Sequence, residues 1–288
     1  MIALSNPEKI ALLTDSTADL PAPMREGKPI YVVPLKIRCE DGEYSDGVDI
    51  TAEGVYERLH RGELPRTSLP EGGVVSDTLD QIRADGYERV IAVMLSSGLS
   101  GTYNMVRLQA GQRDDLEIAV FDSRSGSLGI GIMVLQLWEE IVAGASWETL
   151  VRERAPHLVA NTFPFFSVDT LEYLRRGGRL SNLQASIGTV TRLKPVITLR
   201  EGKVVVAGKG FGTAAAVKQA MKFIAEAPAD PAYPAFSVYS DDQRSEEQLL
   251  PKLAEAGLLP ENLLHGSLGA TIGTHVGPGA MGLIYIAQ

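Results

Sequence analysis

The sequence is poor in the residues that support metal, thiol or nucleic-acid chemistry. One cysteine, Cys39, rules out an internal disulfide and any zinc cage built from thiolates. A lone thiol fits a reducing compartment, so the expected location is cytoplasmic. Histidine is scarce: only His60, His157, His265 and His275 occur. The chain has 27 basic and 36 acidic residues, a formal charge of −9 and no dense Lys/Arg cluster, so nucleic acid is not an expected partner. The start of the chain lacks the basic and apolar blocks of a secretory signal. The longest apolar stretch, around residues 130–138, is too short for a bilayer span, and no stable membrane insertion is expected. No Gly-x-x-x-x-Gly-Lys-Ser/Thr occurs, and no Gly-x-Gly-x-x-Gly joins a strand to a helix.

What is present is an α/β pattern. With 288 residues the chain is near the size at which cores divide, and two domains are expected, 1–157 and 158–288. In the first half, apolar runs at 10–13, 31–37, 90–95 and 118–121 alternate with helical periodicity at 52–60, 71–84, 103–110 and 127–143. Such alternation predicts a doubly wound, mostly parallel sheet. Pro34 marks an edge or a bulge in the second run. The long apolar helix at 127–143 reads as buried between layers. In the second half, runs at 195–199 and 204–206 flank Glu201-Gly202, a hairpin signal, so an α+β domain with antiparallel strands is expected there.

Three strands of the first half end in polar residues: Thr14-Asp15-Ser16, Ser96-Ser97 and Asp122-Ser123. In doubly wound sheets ligands sit outside the carboxyl ends of the strands, so all three clusters are expected to face one crevice. The fullest is Ser96-Ser97-Gly98-Leu99-Ser100-Gly101-Thr102, a hydroxyl-rich loop at a helix start that suits a small anion. It also invites a serine hydrolase reading, with Ser97 or Ser100 as nucleophile and His275 as base. The register Gly98-Leu99-Ser100-Gly101-Thr102 lacks the last glycine of Gly-x-Ser-x-Gly, and Ser100 reads equally well as a helix cap. His275 lies in the Gly-rich stretch Gly273-Thr274-His275-Val276-Gly277-Pro278-Gly279, read as a loop that lets backbone approach a ligand. Gly177 reads as the glycine closing a helix at 170–176, and Arg179 beyond it as an anion partner. Asp15, Asp46 and Asp49 match no calcium-loop spacing; no metal is expected.

In order along the chain, these stretches resemble the DegV family. The motifs are Leu13-Thr14-Asp15-Ser16-Thr17, Thr67-Ser68-Leu69-Pro70, Ser96-Ser97-Gly98-Leu99-Ser100-Gly101-Thr102, Leu174-Arg175-Arg176-Gly177-Gly178-Arg179, Lys194-Pro195-Val196 and Gly273-Thr274-His275-Val276-Gly277. The resemblance implies two α/β domains enclosing one long-chain fatty acid, such as palmitate or oleate. It implies no catalysis by the chain itself and no cofactor. Members of that family include binding subunits of bacterial fatty acid kinase, whose separate kinase subunit phosphorylates the bound carboxylate with ATP. Carried over residue by residue, the carboxylate falls to Thr67, Ser97 or Ser96, and His275. Arg179, Gly98 and Thr274 are expected at the cleft or at a partner contact. Two departures stand out. Leu69 replaces a frequent Gln, and the stretch Ala207-Gly208-Lys209-Gly210-Phe211-Gly212 has no arginine where kinase-partnered members carry one. The 130–138 helix and Phe163-Pro164-Phe165-Phe166 are candidates for the wall around the tail.

Overall fold

The structure, a computed structural model, describes residues 5–180, 193–211, 213–242 and 244–288. Its strands in chain order are β1 (Ile10–Asp15), β2 (Ile30–Val33), β3 (Lys36–Cys39), β4 (Gly42–Ser45), β5 (Arg66–Ser68), β6 (Arg89–Met94) and β7 (Glu117–Asp122), then β8 (Thr162–Ser167), β9 (Leu193–Arg200), β10 (Lys203–Phe211), β11 (Ala235–Tyr239), β12 (Leu263–Ser267) and β13 (Met281–Ile286). They form a four-stranded sheet β2-β1-β6-β7, a six-stranded sheet β10-β9-β8-β13-β11-β12 and a small sheet β4-β3-β5. Every pairing in the first is parallel. The second is antiparallel except for β11 with β12.

The period of two along each strand decides which layer each residue joins. On the parallel sheet, Leu13, Val90 and Ala92 cluster with Val75, Leu79 and Val106 of the helices Gly72–Ala84 and Thr102–Ala110. Their neighbours Leu12, Ile91 and Val93 turn to the other face, onto the helix Leu128–Val142. That helix also meets Phe166, Phe236 and Ile284 of the six-stranded sheet in the same cluster. Beyond that sheet, Phe165, Leu283 and Tyr285 pack on the helices Thr213–Glu226 and Arg244–Glu255. The result is five layers, helices–sheet–helix–sheet–helices, with one apolar helix shared by both sheets. No helix among the described residues is long and apolar enough to cross a membrane.

Several expectations are corrected. The run at 31–37 is two strands in two sheets, because the chain leaves the parallel sheet at Val33, just before Pro34, and starts β3 at Lys36. The strand β12 was not expected from the sequence; it pairs with β11 in parallel, because the helix Arg244–Glu255 returns the chain to the same end of the sheet. His275 is in a helix, Ala270–Val276, not in a loop; the glycine-rich turn begins only at Gly277, whose φ is 77°. The polar strand ends bond one another instead of opening on a crevice. Asp15 accepts from Leu95 N at 2.7 Å, and Asp122 from Ser97 N at 3.1 Å and Arg124 N at 3.0 Å.

Candidate functional site

Thr67 and His275 are 208 residues apart in sequence and touch in space. Strand β5 carries Thr67, paired through Ile37 of β3. Ile37 clusters with Val55, Tyr56 and Leu59 of the helix Ala52–His60 and with Ala270, at the start of the helix that carries His275. Thr51 starts that helix by accepting from Gly54 N at 3.3 Å. Tyr56 reaches the loop ahead of the His275 helix, its hydroxyl donating to Leu268 O at 3.1 Å. The small sheet and the two helices thus bring Thr67 Oγ1 within 2.7 Å of His275 Nε2.

Burial and the nearby Arg179 cation push the His275 pKa down to about 4, so the imidazole is neutral at pH 7. Its Nδ1 is buried and has no hydrogen-bond partner among the described residues. An orphaned N–H there would cost more than an orphaned lone pair, which places the proton on Nε2. Nε2–H then donates to Thr67 Oγ1, and the Thr67 hydroxyl hydrogen is free to serve a third group. A carboxylate is the natural acceptor for it, and its charge would draw a proton onto the imidazole.

Two cavities meet at this pair. The inner one, about 280 Å³, is walled by Leu35, Leu95, Leu99, Phe166 and Ile272, and by Ile197, Leu199 and Val204 from the β9–β10 hairpin. The outer one, about 600 Å³, is bordered by Arg66, Tyr173, Arg176 and Thr274. Thr67, Arg179 and His275 line both. One apolar chamber and one cationic mouth therefore share a polar neck. Arg179 is anchored at the neck by donation from Nε to Leu99 O at 3.1 Å. Thr274 borders the mouth while its hydroxyl donates back to Ala270 O at 2.9 Å.

The other expected site residues lie elsewhere. Ser96 is fully buried and its hydroxyl donates to Gly202 O at 2.7 Å. Ser97 is exposed and its hydroxyl donates to Asp122. Neither lines the inner cavity; Ser100 of the same loop does, its hydroxyl 2.9 Å from Thr102 Oγ1. No serine hydroxyl bonds His275, so the described residues hold no serine–histidine pair there. The wall includes Phe166 but no residue of the helix Leu128–Val142, which is spent on the core between the sheets. Of the arginine-free stretch at 207–212, the part through Phe211 enters β10, and Gly212 lies outside the described residues. Among the described residues one trio, Cys39, Asp41 and Glu63, brings possible metal ligands within 4.8 Å of one another. Arg58 already holds it together, at 2.8 Å from Asp41 and 3.2 Å from Glu63.

One functional residue was misread from sequence. Gly177 does not supply the left-handed turn after its helix; Gly178 does, at φ 75°. A Cβ on Gly177 would instead fall 2.2 Å from His275 Nδ1. The glycine is needed so that backbone can lie against the imidazole.

The family pattern described as "Uncharacterised protein, DegV family" matches residues 9–288. The chain belongs to the DegV family. A DegV domain-containing protein of Clostridium acetobutylicum is 33% identical over 278 residues, 96% of this chain and 98% of the relative. A DegV family protein from Thermus thermophilus, described by its fatty acid binding, superposes with a TM-score of 0.88 at 34% identity, over 97% of this chain and 100% of that one. A fatty acid binding DegV family protein from Streptococcus agalactiae gives 0.87 at 31% identity, over 97% and 98%. The DegV fold therefore covers this chain almost end to end.

Proposed function

We propose that this DegV chain binds one long-chain fatty acid, its carboxylate at Thr67 and His275 and its tail in the inner cavity. The observation that carries the reading is the neck: a neutral histidine–threonine pair with a spare hydroxyl donor where an apolar chamber meets a cationic mouth. The two DegV structures described as fatty acid binding support it. Burying about 14 methylenes yields roughly 11 kcal/mol gross. Association costs on the order of 4–15 kcal/mol. The tail alone thus leaves affinity marginal, and the neck has to contribute. A buried carboxylate without partners would cost several kcal/mol, and Thr67, His275 and Arg179 spare it that.

In this reading the chain is a carrier and catalyses nothing itself. The carboxylate faces the mouth between Arg66, Arg176 and Arg179, open to a second protein. A kinase docked there would let a carboxylate oxygen attack the γ-phosphorus of ATP, giving an acyl phosphate and releasing ADP. The lipid-binding step is tested by displacement of a fluorescent fatty acid with palmitate and with methyl palmitate. The acid should compete at least tenfold better; equal competition would remove the carboxylate from the neck. The kinase step is tested by trapping the acyl phosphate with hydroxylamine in the presence of ATP and a fatty acid kinase subunit. Formation of the hydroxamate only when all components are present is the expected result.

A further inference from the structure

The tip of the β9–β10 hairpin is docked through one residue: Arg200, Glu201 and Lys203 are exposed, whereas Gly202 between them is not. The two-residue turn is Glu201-Gly202, both with positive φ, at 50° and 74°. Gly202 is buried, and its carbonyl accepts from Ser96 Oγ at 2.7 Å. The same hydroxyl accepts from Gly98 N at 3.2 Å, so Ser96 is engaged on both sides. The fit leaves no room. A Cβ on Gly98 would fall 2.5 Å from Gly202 O, and one on Gly202 would fall 2.3 Å from Ser96 Oγ. Among the described residues, strand β10 is the outer strand of its sheet and pairs only with β9. The hairpin is the edge of the six-stranded sheet, tied to β8 through residues 196–198 and backed by the helix Thr213–Glu226, and its end rests on the loop that follows β6 of the parallel sheet. Residues on both sides of the tip, Leu199 and Val204, are wall of the inner cavity.

We infer that Ser96 and Gly98 are the seat of a latch that holds the hairpin arm shut against the cavity, and so act as positioning residues for the tail-facing wall. The serine and glycine that look like an anion cradle in the sequence are spent on the hairpin carbonyl. The latch governs how long a tail stays in the cavity, not how its carboxylate is recognised; this rests on the fatty acid reading above. Losing one buried hydrogen bond corresponds to roughly a 3- to 10-fold change in the opening equilibrium.

The test compares wild type with Ser96→Ala and Gly98→Ala in two assays. Hydrogen–deuterium exchange on ligand-free protein reads the arm itself, independently of any lipid. Amides of residues 198–206 should exchange at least 3-fold faster in both variants, with the core strands β1 and β6 unchanged. Release of cis-parinaric acid to albumin should speed up by a similar factor, while the preference for palmitate over methyl palmitate stays as in wild type. Unchanged exchange in the arm overturns the latch. Faster exchange with unchanged release overturns its control of retention. A Ser96→Ala variant that loses the acid-over-ester preference would make Ser96 a headgroup partner instead. Wild type that takes up no parinaric acid contradicts the lipid reading and leaves the exchange result to decide the latch. Should Gly98→Ala fail to fold, Ser96→Cys, which keeps the volume and gives up most of the hydrogen bond, takes its place.

Discussion

The Thr67–His275 contact shows what a residue-level reading of the sequence could and could not reach. Nothing in their spacing joins them; the family resemblance named both, and the fold brings them to 2.7 Å. The same resemblance could not choose between Ser96 and Ser97. Neighbouring hydroxyls look alike until their hydrogen bonds are known, and those of Ser96 and Ser97 go to Gly202 and Asp122. Thr67→Val keeps the shape and removes the donor, so it should weaken palmitate binding roughly 10-fold, the worth of a hydrogen bond to a charged group. Methyl palmitate should bind as before, as read by competition against a fluorescent fatty acid. Gly177→Ala should act on the same contact from behind, since its methyl would displace the imidazole. Its loss of palmitate affinity should match that of His275→Ala, with thermal stability of the sheets retained.

At the scale of elements, strong periodicity was readable and partner choice was not. The helices Ala52–His60 and Leu128–Val142 and the strands β1 and β6 follow from their apolar spacing alone. The split between β2 and β3 does not, because an apolar run cannot say that its two halves join different sheets. The Glu201-Gly202 turn was legible as a hairpin, but its landing place depends on a loop about a hundred residues upstream in the chain. The consequence for function lies in the hairpin wall. Val204→Trp fills part of the inner cavity and should shift preference toward shorter acids. Displacing about two methylenes costs on the order of tenfold for an 18-carbon acid relative to a 12-carbon one. Competition with a series of saturated acids reads the shift; an unchanged series would take the tail away from that wall.

Over the whole molecule, one shared apolar helix ties the two sheets into a continuous core, so stability and site are coupled. Buried titratable groups then set how stability depends on pH. Burial raises the Asp15 carboxyl to about 6, despite hydrogen bonds from Leu95 N and Thr17 that favour its ionised form. A raised folded-state pKa stabilises the protein at low pH, and that contribution is lost as pH rises through about 6. His275 works in the opposite direction. Its folded pKa of about 4 lies below the usual 6.5, so its contribution is present above 6.5 and lost as pH falls toward 4. His275→Asn removes that loss. Relative to wild type, the variant should gain stability between pH 6.5 and 4, by less than the roughly 3 kcal/mol of the full shift. Urea melts at pH 7.5, 6 and 5 would show it. A difference that does not change with pH would mean that His275 is not buried neutral.

The central claim is that a long-chain fatty acid occupies the inner cavity with its carboxylate at the neck. Native mass spectrometry of the protein purified from cells, followed by lipid extraction, tests this most directly. The account predicts one long-chain fatty acid per chain, lost or greatly reduced in a Thr67→Ala/His275→Ala double variant. Repeated recovery of empty protein that takes up neither palmitate nor oleate when these are added would contradict it.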